Sequence, residues 1–213
     1  MIARPLRKRV RLSGAPLALF AAALLLTGCY LPARYDAEIE ITREGYYSMI
    51  FDGYLVKLPF YDDLRKGGMA PSEEAEKIEL YRRDLENDPA MSGVSYLRQG
   101  IYKVHWERDG DLTRDKYVAF LRRNENMLSI RYIRDDYTIR LAGSGLASEQ
   151  KQQIVDAGLD SVGEVRVITN AKVVADNATS KRDWPSRGPG FRMYTWELPN
   201  IFAPSPQLVI SLR

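Results

Sequence analysis

The spacing of apolar and polar residues predicts that the N-terminal part of the chain forms strands. Residues 36–42 alternate acidic side chains with Ile39 and Ile41, which is the period-two pattern of a strand with one buried face. Residues 46–56 are mostly apolar and aromatic, and Asp52-Gly53 interrupts them. This interruption is either a hairpin turn, which Asp-Gly favours, or a β-bulge, where glycine is common.

Two segments with helical periodicity follow. The first has Ser72 as its expected N-cap, acidic residues in its first turn, and an end before Pro89. The second covers residues 148–157, with Ser148 as its expected N-cap and Gly158 as its C-terminal stop. These are the two main helices that the sequence predicts.

Short alternating segments predict an antiparallel meander through the rest of the chain. The expected strands are 93–98, 101–108, 115–121, 127–133, 137–142, 163–169, 172–175, 191–198 and 208–212. A tight turn at Asn170-Ala171 would pair the two strands beside it, and residues 177–190 form the only long loop. The predicted fold class is α+β, a single domain with a largely antiparallel β-sheet and two main helices packed on one face.

The start of the chain has the three-part layout of a bacterial secretory signal peptide. A cationic segment precedes one apolar run over residues 15–26, and small residues follow it. That run is shorter than the roughly 20 residues that a membrane-spanning helix needs. The junction with Cys29 matches the bacterial lipobox, whose positions are occupied by Leu26, Thr27 and Gly28. The alternative is an ordinary buried cysteine that happens to follow a signal peptide.

In a lipobox the cysteine is lipidated on sulfur and becomes the new N-terminus, so Cys29 is the expected lipidation site. The predicted organisation is a signal peptide over residues 1–28, a short tether over 29–34 and one α+β domain over 35–213. In enteric bacteria, aspartate directly after the lipidated cysteine favours retention in the inner membrane, and Tyr30 occupies that place here. The expected location is therefore the cell envelope, with the periplasmic face of the outer membrane favoured over the inner membrane.

Composition and charge narrow the function classes. The chain has 213 residues, of which 45% are hydrophobic, and a formal net charge of +3. Five of the 31 basic residues lie in the leader, so the other 26 face 28 acidic residues. The domain itself is therefore close to neutral, and we expect no nucleic-acid partner.

Candidate catalytic chemistry is sparse. The chain has one histidine and one cysteine, and metal sites need clusters of such ligands, so we expect no metal and no cofactor. His105 shares the more polar side of its predicted strand with Lys103 and Glu107. It is either a general base or, because no nucleophile motif accompanies it, a solvated strand residue. We therefore expect that the protein is not an enzyme.

Aromatic side chains are the more suggestive feature, because tyrosine and tryptophan combine apolar area with a polar tip. All 13 tyrosines lie after the leader. The candidate ligand-binding residues are Tyr46, Tyr47, Tyr54, Trp106, Trp184 and Trp196. The alternative is that strands simply favour aromatic residues. Trp184, in the long loop beside Arg182, either serves an external contact or folds back over the edge of the sheet.

Near the C-terminus the chain resembles the LppM-type bacterial lipoprotein domain. The segments concerned are VRVITNAKVVADN at 165–177 and YTWEL at 194–198. The lipidated Cys29 followed by an alternating strand and a second apolar strand is similar too, although Asn170-Ala171 stands where Pro-Gly is common in the family. The resemblance implies an α+β domain that encloses an apolar groove for lipid or glycolipid. It supplies no catalytic residues.

Together these features predict a membrane-anchored, non-enzymatic envelope lipoprotein that binds a lipid, glycolipid or other amphiphile. The membrane is the expected partner through Cys29. The alternative is a structural lipoprotein that docks an envelope protein or complex through its exposed sheet and loop.

Overall fold

Twelve strands form two β-sheets in the computed structural model, which describes residues 30–121, 127–143 and 145–213. The strands are β1 (Tyr30–Ile41), β2 (Tyr46–Lys57), β3 (Met91–Arg98), β4 (Ile101–Asp111), β5 (Tyr117–Phe120), β6 (Leu128–Ile133), β7 (Thr138–Gly143), β8 (Val162–Thr169), β9 (Lys172–Asp176), β10 (Ser180–Asp183), β11 (Arg192–Leu198) and β12 (Gln207–Ser211). The helices are α1 (Leu58–Lys66), α2 (Pro71–Glu86), α3 (Leu112–Asp115) and α4 (Ser148–Asp156). The expected signal peptide, the lipobox and Cys29 lie outside the described residues.

The larger sheet has seven strands in the order β10-β11-β8-β1-β2-β4-β3, and the smaller has five in the order β5-β6-β7-β12-β9. Neighbouring strands are antiparallel except β1 and β8, which run parallel. The chain crosses between the sheets at the links β4–β5, β7–β8, β8–β9, β9–β10 and β11–β12. The expected single, largely antiparallel sheet is therefore two sheets, and the larger one is mixed.

The main hydrophobic core lies between the two sheets. Alternate side chains of both sheets point into it, as the pleat of a β-strand requires. Phe51 of the larger sheet stacks on Phe120 of the smaller one with ring centroids 3.9 Å apart, and Trp106 meets Phe120 edge-on at 5.4 Å. These aromatic contacts join the sheets directly.

The helices cover opposite faces of the larger sheet, which differs from the expected arrangement on one face. Helix α2 contributes Leu85 to the main core, on the face that carries Tyr30 and Leu55. Helix α4 packs through Ile154 in a smaller cluster with Leu31 and Val56. Because successive side chains of a strand point to opposite faces, these two clusters lie on opposite sides of the sheet.

Strand β1 begins earlier than its alternating pattern indicates. Residues 30–34, which we expected in a tether, belong to this strand, and Tyr30 and Leu31 are 5% and 3% exposed. The apolar residues here do not follow the period-two pattern, because the register with β2 shifts between Pro32 and Arg34. Residues 30–34 are therefore part of the folded domain.

Strand β2 runs unbroken through Asp52-Gly53, so this dipeptide is neither a hairpin turn nor a bulge. A Cβ atom at Gly53 would lie 2.6 Å from the Cβ of Tyr35 on β1. The glycine is therefore needed where two strands approach closely rather than where the chain turns.

The predicted hairpin across Asn170-Ala171 does not form. Strand β8 belongs to the larger sheet, whereas β9 leaves it and pairs with β12 of the smaller sheet. The Asn170 side chain instead accepts a hydrogen bond from the backbone N–H of Arg43 at 2.8 Å. An alternating pattern identifies strands but not their partners, which explains this error.

The helix starts differ from the sequence prediction by one or two residues. Ala70 and Ala147 occupy the N-cap positions that we expected for Ser72 and Ser148. Pro71 at the first helical position replaces side-chain capping for α2, because its ring is already set to a helical φ. The expected stop at Gly158 is confirmed by its φ of +81°.

Candidate functional site

A cavity of about 250 Å³ lies at the end of the domain where β1 begins, and it is lined by both sheets and by helix α4. Most of its lining side chains are apolar, and Lys151 of α4 is the only charged residue among those described. The lining is formed by Tyr30, Leu31, Pro32, Tyr35, Phe51, Leu58, Met127, Leu128, Gly143, Leu146, Gln150, Lys151, Ile154, Ser161, Val165, Leu198, Asn200, Ile201, Ala203, Ser205 and Pro206. Such a space accommodates an apolar group and offers polar partners on one side.

Tyr35 forms part of the cavity wall because two glycines leave room for its ring. Gly163 of β8 is its partner across the parallel pair, and a Cβ atom there would lie 2.6 Å from the ring. Gly53 of β2 is its partner on the other side. The ring stacks on Phe51 with centroids 5.3 Å apart, and burial raises the pKa of Tyr35 to about 12. The phenol is therefore neutral at any physiological pH.

Tyr30 is fixed in the wall by Lys57, a buried lysine at the end of β2. The Lys57 ammonium lies 4.2 Å from the centroid of the Tyr30 ring and 5.3 Å from that of Tyr81. An ammonium held between two aromatic faces is attracted by both rings, most strongly where water is excluded. The first residue after the expected lipidation site is thus a rigid part of the cavity.

A turn over residues 200–203 closes another side of the cavity. The Ile201 N–H donates to the Asp160 carboxylate at 2.8 Å, and the Phe202 N–H donates to the Asn200 side chain at 3.0 Å. The Ala203 N–H donates to the Asn200 carbonyl at 3.1 Å. These bonds hold Ile201 against the cavity and leave Phe202 about half exposed, at 49%.

None of the aromatic residues predicted as ligand candidates lines this cavity. Trp106 and Trp196 are fully buried in the main core. The Trp106 indole N–H donates to Asp88 at 3.1 Å, and that of Trp196 donates to Asn177 at 2.7 Å. Both tryptophans therefore have their polar tips satisfied inside the fold.

The side chains of the other predicted candidates do not form one site. Tyr47 is buried with its hydroxyl on Asp115 at 3.1 Å, Tyr46 is 58% exposed at the start of the same strand, and Tyr54 is half-buried. Trp184 is half-buried, with the Arg182 guanidinium 4.7 Å from its ring. The structure brings none of them together at one site.

The segment expected as a long loop is more ordered than predicted. Within residues 177–190, strand β10 pairs with β11, and a short 3-10 helix covers Pro185–Arg187. The Trp184 N–H donates to the Phe191 carbonyl at 2.8 Å, which continues the pairing beyond β10. Strand β10 is polar and fully exposed, so its sequence has no apolar alternation and is typical of a solvated loop.

His105 lies on the outer face of the larger sheet, opposite the core. Its polar-side neighbours Lys103 and Glu107 are exposed, as the alternation predicts. The His105 Nδ1 atom lies 2.6 Å from the Asp52 carboxylate, and Nε2 lies 3.9 Å from that of Glu107. No set of three or more His, Cys, Asp or Glu side chains among the described residues is arranged to hold a metal ion.

The fold is a two-sheet α+β domain of mostly antiparallel strands around one main core. No known protein-family profile matches the chain, and no curated protein matches its sequence. Among solved structures, the NMR structure of the folded domain of LppM from Mycobacterium tuberculosis is similar at 13% identity and a TM-score of 0.40. That alignment covers 87% of this chain and 91% of the LppM chain. The likeness is distant in both sequence and backbone geometry.

Proposed function

We propose that this protein is a membrane-anchored, non-enzymatic envelope lipoprotein that holds the apolar part of an amphiphile in the cavity where β1 begins. The observation that carries the proposal is the apolar cavity, with Lys151 as its one charged lining residue among those described. Apolar walls favour hydrocarbon, and an ammonium at one side favours a polar or anionic head group. Each methylene that is transferred from water into such a space contributes about 0.8 kcal/mol.

The position of the cavity supports anchoring through Cys29. Tyr30, Leu31 and Pro32 all line it, and they directly follow the lipobox cysteine. A diacylglyceryl group on that cysteine would bring the cavity next to the lipid from which a ligand comes. No helix in the described part of the chain is long and apolar enough to cross a bilayer. Two or more acyl chains suffice for stable attachment.

The ligand half of the proposal is tested by filling the cavity. Residues 29–213 with Cys29→Ser, secreted behind an ordinary cleavable signal peptide, are purified without detergent, and bound lipids are extracted for mass spectrometry. Ala203 lines the cavity and is half-buried, so Ala203→Trp is expected to remove the co-purifying amphiphile. The affinity of this variant for a fluorescent fatty-acid probe should be at least tenfold weaker than that of the parent protein, which corresponds to about 1.4 kcal/mol.

The matched control for this experiment is Ala175→Trp, because Ala175 is exposed on β9 and lies outside the cavity. That variant should bind as the parent protein does, with an unchanged unfolding midpoint. A parent protein that carries no amphiphile and takes up no probe would contradict the ligand half of the proposal.

A second candidate function is the docking of an envelope protein on the outer face of the larger sheet. The Arg166 guanidinium there bonds to Asp36 and Glu164, and it pairs with Glu38 at 3.4 Å. The Asp36 and Glu164 carboxylates raise the pKa of Arg166. The three ion pairs hold its side chain in one orientation across strands β1 and β8. Crosslinking in intact cells is expected to give a discrete protein adduct, sensitive to Arg166→Ala, if docking is the function. A pure amphiphile carrier gives no such adduct.

A further inference from the structure

Six strand termini lie side by side at one end of the larger sheet, the end at which β1 starts directly after Cys29. The register places the start of β1 beside the end of β2, and the end of β2 beside the start of β4. The parallel pairing places the start of β8 there as well, and with it the end of β11. The end of β3 lies there too, because it pairs with the start of β4. We call this end of the sheet, formed by the strand termini and not by an edge strand, the anchor edge.

Large apolar side chains are exposed at or beside this edge, in several separate elements. Leu97 near the end of β3 and Val162 at the start of β8 are 50% and 37% exposed. Val155 on α4 is 37% exposed, and Phe202 on the turn over residues 200–203, which we call the pinned turn, is 49% exposed. Their chain neighbours Ile154 and Ile201 are buried in one cluster with Leu31, so α4 and the turn are packed against the start of β1.

The pinned turn presents Phe202 in a fixed direction. The N–H groups of Ile201, Phe202 and Ala203 are all bonded within the domain, as described above. Burying Ile201 on one side of the turn leaves Phe202 on the other, so the exposed ring does not depend on a flexible loop. An exposed phenyl ring on a rigid support suits insertion at the boundary between lipid head groups and acyl chains, where the apolar side chains of interfacial proteins are buried.

We propose that the anchor edge docks on the bilayer surface, with Phe202 and Val155 inserted among the lipid head groups. This inference rests on the proposed anchoring at Cys29, and the bilayer is the occupant because an acyl anchor at that residue ends beside this edge. Lys151 lies one helical turn before Val155 on α4, and we expect its ammonium to contact the phosphate groups of the lipids. Docking here places the cavity at the lipid surface.

The experiment uses the full chain in its lipidated form, reconstituted into vesicles of phosphatidylethanolamine and phosphatidylglycerol. Lipidation occupies the thiol of Cys29, the only cysteine, so one introduced cysteine reacts alone with an environment-sensitive fluorophore. The variants are Phe202→Cys and Val155→Cys. The controls are Tyr46→Cys, at the far end of β2 and about 35 Å from the anchor edge, and Val174→Cys on the smaller sheet.

The labels at positions 202 and 155 are expected to emit at shorter wavelength and to lose at least half of their intensity to a lipid-borne quencher. Labels at the control positions should emit as in water. Water-like emission at positions 202 and 155 in vesicles that float with the protein would overturn docking and leave the anchoring intact. Failure of the parent protein to float with vesicles would overturn both the anchoring and the docking.

Discussion

Replacing Trp106 with alanine is expected to lower the free energy of unfolding by about 3 to 5 kcal/mol, the range for removing a buried tryptophan. Trp106 is fully buried, meets Phe120 of the other sheet, and donates its indole N–H to Asp88. The variant therefore leaves a cavity between the sheets and removes the indole hydrogen bond to Asp88 Oδ2, while Asp88 Oδ1 still accepts from the Ala90 N–H. Urea unfolding of the secreted domain, followed by circular dichroism, measures the loss.

Trp184→Ala is the matched comparison, because it removes the same side chain from a half-buried position. Its ring contacts the Arg182 guanidinium, an interaction of about 0.5 to 1 kcal/mol at an exposed site, so the expected loss is about 1 kcal/mol. Equal losses for Trp106→Ala and Trp184→Ala would contradict this assignment. They would also show that Trp184 covers the sheet edge, the alternative that the sequence left open.

The second large effect is expected from Cys29→Ser, which should abolish acylation and leave a precursor that is uncleaved or lacks lipid. Lipobox cleavage requires the diacylglyceryl thioether on cysteine sulfur, and serine does not form it. Metabolic labelling with a fatty-acid analogue should give no signal, and the fraction retained on membranes after carbonate washing should fall.

Gly28→Ala is the control for processing, because it keeps a small residue before the cysteine. It is expected to be acylated and cleaved as the parent protein is. Equal membrane retention of the Cys29→Ser variant and the parent after carbonate washing would mean that Cys29 is not the anchor.

Much of the strand content could be predicted from alternation, because each strand has one face toward the core. Residues 101–108 show this well, with Tyr102, Val104 and Trp106 buried and His105 on the outer side. The arrangement of strands into two sheets could not be predicted, since the pleat pattern is the same for any partner. The parallel pairing of β1 with β8 joins residues such as Asp36 and Arg166, 130 positions apart, which no local pattern specifies.

The density of aromatic residues along the sequence does not identify the residues that line the cavity. Tyr46, Tyr47 and Tyr54 crowd one stretch of sequence, yet β2 sends them to different surroundings. The residues that form the wall, Tyr30 and Tyr35, lie in the part of β1 where a register shift breaks the alternation. The sequence feature that marks Tyr35 is a glycine in each of the two strands that flank β1. These glycines are Gly53 and Gly163, and a side chain at either position would collide with Tyr35.

The central position of β1 determines when this domain can fold. Strand β1 is the first strand of the described chain, but one of its two edges pairs only with β8, which begins at Val162. Until that residue has emerged, β1 keeps an open edge, and the pairing that closes it is among the most distant in the sequence. Folds that depend on such long-range pairings fold slowly, in milliseconds to seconds. Strand β1 therefore completes its pairing only after Val162 and the rest of β8 have been made, whereas its pairing with β2 needs only the next few residues of the chain.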